Sequence, residues 1–252
     1  MTLVWRPGFS GLTDADAIAY VAAVEAADGQ ALEFGVGKAI NDFVVGCKLD
    51  GIWSAIKASC ILAGARTLAG CLVPLVGTAP TNFNFVAGDY NRKTGLAGDG
   101  STKYLNSNRN NNADPQNSFH LSGFLSAAAI NFIIAGGIST GRSSLGESAV
   151  RLRSGTGDVT GGASAANTFT GASRDSSAAI VRRVNGVNYT IGRASETPEA
   201  VNLFVFARNN NGTADTFANH RIAFYSIGES LDLAKLDARV TDLMNALGAA
   251  IP

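Results

Sequence analysis

Residues 178–191 read Ala-Ala-Ile-Val-Arg-Arg-Val-Asn-Gly-Val-Asn-Tyr-Thr-Ile. Asn185-Gly186 stands between Val184 and Val187. Both central residues tolerate positive φ, so the stretch predicts a hairpin closed by a two-residue type I′ turn. The same alternation appears on either side. In 148–154, Val150 and Leu152 point one way and Arg151 and Arg153 the other, which predicts a strand with one wet face. In 201–207, Val201, Leu203 and Val205 alternate with Phe204 and Phe206, which predicts a strand buried on both faces. A polar loop is expected over 208–219 and a further strand over 221–227. The Asn-rich run 106–112 reads as a loop tip. Short strands separated by Gly, Asn and Ser turns indicate a sandwich or barrel.

Before about Cys60 the period is helical, and the apolar stretch 60–76 is open between helix and strand. Thr13 is a candidate cap, with Asp16 three residues on; Ile18, Tyr20, Val21 and Val24 follow, and Asp28-Gly29 stops the helix. Leu32, Val36, Ala39, Ile40, Phe43 and Cys47 form one apolar stripe of a second helix. A terminal helix carries Leu236, Val240, Leu243 and Leu247 on one face, with Ser230 as candidate cap. Leu233 and Met244 fall to the sides of that face, a surplus that predicts a second apolar partner. The organisation expected is a helical segment 1–80, a β-sandwich 81–228 and a helix 229–252. The fold class is α+β, predominantly β.

Of 252 residues, 46% are hydrophobic, enough for a real core. Twenty basic side chains balance 20 acidic ones. Residues 81–228 carry 13 basic against 9 acidic side chains, too dispersed for a nucleic-acid groove. Cys47, Cys60 and Cys71 are an odd set in the helical part and read as buried thiols. The segment 121–141 has no charge, but Ser122, Ser126, Asn131, Ser139, Thr140 and several glycines break it. Two buried strands are expected there and no membrane span. Met1 to Trp5 lacks the basic start and apolar run of a signal peptide.

One order of features resembles a known group. Asp50-Gly51-Ile52-Trp53 leads to Gly64-Ala65-Arg66 and then to Pro80-Thr81-Asn82. Gly98-Asp99-Gly100-Ser101-Thr102-Lys103-Tyr104-Leu105 precedes the Asn-rich run, and Gly228-Glu229-Ser230-Leu231 precedes the last helix. This is similar to the concanavalin A-like (laminin G-like) virion proteins of tailed bacteriophages, over nearly the whole chain. The resemblance implies a jelly-roll sandwich whose concave face holds glycans or a neighbouring protein. It also implies a place in the virion after synthesis in the host cytoplasm, with other virion proteins and further copies of the chain as partners. The function expected is a non-enzymatic structural protein of the particle, such as a head decoration, collar or tail component. The alternative is a carbohydrate-binding module for host-surface recognition.

The chemistry sought along the chain is sparse. A glycosidase of this fold sets two carboxylates on one strand. Here Glu147, Asp158, Glu196, Glu199 and Asp215 are isolated beside turn residues, so no hydrolysis is expected. His120 and His220 have no Ser or Cys motif beside them and read as structural. Asp99-Gly100-Ser101, and Asn209, Asn210 and Asn211 with Asp215, are oxygen-rich, but turn formation accounts for both, and no metal or other cofactor is expected. Trp5, Trp53, Tyr90, Tyr104 and Tyr189 are the candidates for stacking on sugars, with Trp53 expected in the core. No phosphate-cradling glycine loop occurs.

Overall fold

Asp14 opens the first helix. Its carboxylate accepts from the N–H groups of Asp16 and Ala17, and Gly29, at φ 65°, closes the last turn. The cap is therefore one residue later than the sequence suggests; the Thr13 N–H donates instead to the Asn41 side chain at 2.8 Å. The computed structural model describes residues 11–129, 131–155, 158–159 and 162–252. Within them the helices are α1 (Ala15–Asp28), α2 (Phe34–Leu49), α3 (Leu68–Cys71) and α4 (Leu233–Ala250). Trp5 lies outside the described residues.

The strands run β1 (Ile56–Ile61), β2 (Thr81–Phe83), β3 (Tyr90–Asn91), β4 (Gly95–Ala97), β5 (Tyr104–Asn110), β6 (Phe119–Ala127), β7 (Phe132–Gly136), β8 (Ser143–Gly146) and β9 (Ala149–Leu152). They continue with β10 (Asp158–Val159), β11 (Thr168–Arg174), β12 (Ala179–Val184), β13 (Val187–Gly192), β14 (Asn202–Val205), β15 (Arg208–Asn210), β16 (Thr213–Asp215) and β17 (Arg221–Gly228). The first sheet is ordered β13-β12-β11-β6-β17-β4-β3, with β1 also paired to β17. The second is ordered β10-β9-β8-β7-β14-β5-β2, with β15 joined to β7 and β16 to β15. All pairs are antiparallel except β15 with β7. The architecture is an antiparallel β-sandwich with helices added at both ends of the chain, as the sequence leads one to expect.

The helices form a third layer on the first sheet. Phe43 of α2 meets Phe224 of β17 with ring centroids 5.7 Å apart. Leu233 of α4 stands over Gly171 of β11, where an added Cβ would come within 2.9 Å of it. On the other side of this sheet Gly123 faces Ile133 of the second sheet. The first sheet is thus covered on both faces, and β6, β11 and β17 are buried almost end to end. One continuous apolar cluster runs through all three layers. Ion pairs fasten the helices: Arg239 of α4 forks onto Asp50 at the end of α2, and Arg183 of β12 reaches Asp237 of α4 at 2.6 Å.

The hairpin β12–β13 turns on Asn185 and Gly186, at φ 49° and 80°. Val184 pairs with Val187 across it. The charge-free stretch 121–141 is occupied by β6 and β7, and no helix among the described residues is long and apolar enough to cross a membrane. Four expectations need correction. Most of the Asn-rich run is strand β5, with Asn108 at φ 55° and Asn106 Oδ1 accepting from its N–H. The 208–219 loop contains the hairpin β15–β16, turned by Asn211 and Gly212 at φ 48° and 98°. Arg153 is not on a wet face: it leaves β9 at φ 53°, is fully buried, and donates to the Pro115 and Asn111 carbonyls over the Phe119 ring. On α4, Asp232 and not Ser230 is the cap, and Leu233 joins the docking face while Met244 is half-buried. The helix therefore lacks the surplus apolar side that its sequence suggested.

Candidate functional site: the open face of the second sheet

The second sheet turns one face inward and the other away from the helical layer. Leu105, Ile134, Leu145, Val150 and Val205 face inward and belong to the main core. Their neighbours in sequence face out. Register lines up Arg151 with Ser144, Ser144 with Ala135, and Ala135 with Phe204, which pairs in turn with Asn106. Ala135 and Phe204 are buried yet stand outside the main core. What covers Phe204 is aromatic: Tyr104 lies 4.7 Å away, Phe83 stacks on Tyr104 at 4.3 Å, and Phe217 meets Tyr104 edge-on at 6.1 Å. Phe83, 36% exposed, forms the outer wall. Such rings offer flat faces to a sugar's C–H groups.

Beside the rings the face is cationic. Arg142 precedes β8 by one residue and shares the face of Ser144, two residues on. Arg208 begins β15 opposite Ala135 and forks onto Asp215, at 2.7 and 2.6 Å. That contact first, then Asn210 and Thr216, holds the Asp215 carboxyl below its usual range. Burial, with Arg151 and Arg208 nearby, pulls the Arg142 guanidinium down to about 10. Burial and Arg208 lower Arg151 in the same sense. Glu199 accepts from the N–H groups of Ile138 and Ser139.

The residues singled out from sequence are scattered. Tyr104 is on this face. Tyr90 donates its hydroxyl to the Ala65 carbonyl, and Tyr189 is half-buried on the edge strand β13. Trp53 is not core: it is half-buried and lines a groove of about 350 Å³ with Tyr20, Pro74, Leu75 and Val76, its indole N–H donating to Asp16. Asp99 accepts from the N–H groups of Ser101, Thr102 and Lys103 and from the Thr102 hydroxyl. Burial would raise its carboxyl, but these four bonds hold it far below the usual range. Its oxygens thus close a turn, as Asp215 closes an ion pair. Among the described residues no group of three or more His, Cys, Asp or Glu is gathered for a metal. Cys47, Cys60 and Cys71 are buried thiols, Cys47 and Cys60 each pushed up to about 12 by burial.

Both histidines are buried and engaged. His220 Nδ1 accepts from the Ala129 N–H at 2.9 Å, which leaves Nε2 to donate to the Asn131 carbonyl. His120 Nδ1 donates to the Glu229 carbonyl at 2.6 Å, so Nε2 accepts from the Ser226 hydroxyl, and Ser122 donates to Ser226. A Ser–His contact is present, but both residues are fully enclosed between the first sheet and the helices.

Fold and face define an antiparallel β-sandwich with one sheet roofed by helices and one open. No protein-family model matches the chain, and no curated protein matches it. Similar solved structures include domain 4 of an extracellular arabinanase from Geobacillus stearothermophilus in complex with arabinotriose. It is 15% identical, with 67% of this chain and 82% of that chain covered, at a TM-score of 0.42. A Trypanosoma rangeli sialidase in complex with sialic acid is 10% identical over 77% of this chain, at a TM-score of 0.48. A tailspike protein of an Escherichia coli O157:H7 bacteriophage is 13% identical over 67% of this chain, at a TM-score of 0.36. The match spans 34% of the sialidase and 26% of the tailspike. The fold assignment rests on the strand order above, not on these scores. The matches do correct one expectation. Chains named as an arabinanase and sialidases are among the matches, so the expectation that the protein is not an enzyme is withdrawn.

Proposed function

We propose that the protein is a component of a tailed-phage particle that binds carbohydrate through the open face of its second sheet. The observation that carries this is the asymmetry of the sandwich. Helices seal the first sheet, while the second presents Phe83, Tyr104 and Phe217, packed over the buried Phe204, beside hydrogen-bonding Arg and Asn side chains. A wall of rings with polar groups at its edge is the chemistry that sugar recognition uses. The virion setting is supported by the sequence resemblance that runs through 98–105. The sandwich 81–228 would be the recognition part, with 1–80 and 229–252 as its fixed base. Binding of the purified chain to an array of bacterial surface glycans tests the reading. Tyr104→Ala is expected to weaken any bound glycan about tenfold while the fold persists. An array without a bound glycan, or binding indifferent to Tyr104→Ala, overturns it.

A second reading is supported by the other side of the molecule. Ile18, Phe34 and Leu49 of the helical layer are 46%, 52% and 80% exposed. Such side chains suit contact with a neighbouring virion protein or another copy of the chain. A reconstruction of the particle in which these residues lose no surface to another chain would remove this reading.

A further inference from the structure

We propose that Arg142, Arg151 and Arg208 form a docking site for the carboxylate of an acidic sugar on the open face of the second sheet. The proposal rests on the carbohydrate-binding reading and adds to it a selectivity for charge.

The geometry begins with the strand register. Arg151 on β9, Ser144 on β8 and Ala135 on β7 are successive neighbours across the sheet, and Arg208 on β15 pairs with Ala135 from the far side. Two arginines thus bracket two of the smallest side chains, and Arg142 enters on the same face beside Ser144. The floor of Ser144 and Ala135 is itself buried, 2% and 0% exposed, so a ligand would meet the three half-buried arginines that stand around it.

Two of those groups are uncommitted. Among the described residues the side chains of Arg142 and Arg151 make no hydrogen bond or ion pair, and the Nε atom of each is enclosed without a partner. Arg142 does lie against the Phe132 ring, 6.0 Å from its centroid. Arg208 differs, because the fork onto Asp215 fixes its plane and offsets its charge. Glu199 and Asp215 are the acidic groups that act on Arg142, and each already has other partners. Only the Nε atom of each is sealed from water, and a sealed N–H without a partner is costly. The fully buried arginines of this chain offset most of that cost by clamping carbonyls: Arg182 takes those of Glu147 and Ser148, and Arg174 those of Leu152, Ser176 and Arg193, although Arg182 Nε and one terminal nitrogen of Arg174 are also enclosed without a partner. Arg142 and Arg151 have no such clamp. A planar carboxylate supplies one, since it accepts two parallel bonds from a guanidinium fork.

The sugar part of the ligand follows from what adjoins the floor. Phe204 is the next register neighbour of Ala135, and Tyr104 and Phe83 continue from it. A ring carrying a carboxylate can hold its charge against Arg142 and Arg151 while a following residue lies along Tyr104 and Phe83. Phosphate shares the oxyanion chemistry and is separated by the test.

The test uses the full chain and the Nε–H signals of Arg142 and Arg151 in nitrogen-15 NMR spectra, with glucuronate, glucose and inorganic phosphate as probes. Glucuronate is expected to move both signals saturably, glucose to leave them in place, and phosphate to act only at higher concentration. Arg142→Gln is expected to weaken glucuronate at least about tenfold, and Arg142→Lys, which keeps the charge but loses the fork, by less. Silence of both signals with glucuronate overturns the proposal, as does phosphate acting at equal or lower concentration. The glycan array separates this failure from that of the broader reading. Neutral glycans bound equally by wild type and Arg142→Gln, with silent arginine signals, sink this inference alone. An array with nothing bound sinks both.

Discussion

His120 can accept a proton only by breaking its bond from Ser226. Burial, only partly offset by the Glu229 carbonyl, lowers its pKa to about 4 in the folded chain, against 6.5 for a free imidazole. The unfolded chain therefore binds the extra proton first, and stability falls as pH drops from about 6.5 towards 4. The loss is on the order of 3 kcal/mol at the acid end. Urea titrations across this range are expected to show it, and His120→Gln to flatten that slope; a wild-type profile without the slope refutes the assignment. Gly186 sits at φ 80° with nothing within 4 Å of a built Cβ, so only the backbone objects to a side chain there. Gly186→Val is expected to cost more than about 1 kcal/mol, read as a lower melting midpoint. That turn was legible because Asn-Gly is short-range chemistry. Asn211-Gly212 carries the same signal, but the neighbouring asparagines hid it. Arg153 was misread because alternation assumes that a strand continues, and β9 stops at Leu152. Arg142, Arg151 and Arg208 meet only through strand order, which one sequence does not display.

At the scale of elements, α4 holds the helical layer to the first sheet. Leu236, Val240, Leu243 and Leu247 were legible as one stripe and are all buried. What they pack against was not, since α2 and β11 lie far back in the chain. Leu243, 2% exposed, has no space to leave behind without a cavity. Leu243→Ala is expected to destabilise by about 2–5 kcal/mol. Asp50→Asn, which weakens the solvent-screened fork from Arg239, is expected to cost clearly less than Leu243→Ala. Chemical denaturation of both variants checks the ranking, and equal losses would mean that charge and not packing fastens the layer. The short strands of the second sheet were less legible. β2, β15 and β16 have three residues each, too few for a period to declare itself.

For the molecule as a whole, the change of period near Pro80 marked the move from helices to sandwich, and the helices pack on the first sheet as a layer. The sequence reading did not foresee that β1, inside the helical third, belongs to the first sheet. Its partner β17 is near the other end of the chain and also carries β4 and β6. That placement has a consequence during synthesis. When Ile56–Ile61 leaves the ribosome, the strand it must join has not been translated, and the wait is on the order of tens of seconds. Throughout it, an apolar edge and the undersides of α1 and α2 stay unsheltered. Nascent chains stalled before Arg221 are expected to be captured by chaperones or to aggregate, and chains stalled well past Ala250 to resist protease. Protease-resistant nascent chains that end before Arg221 would contradict this. The keystone strand makes folding of the first sheet wait until Arg221–Gly228 has been translated.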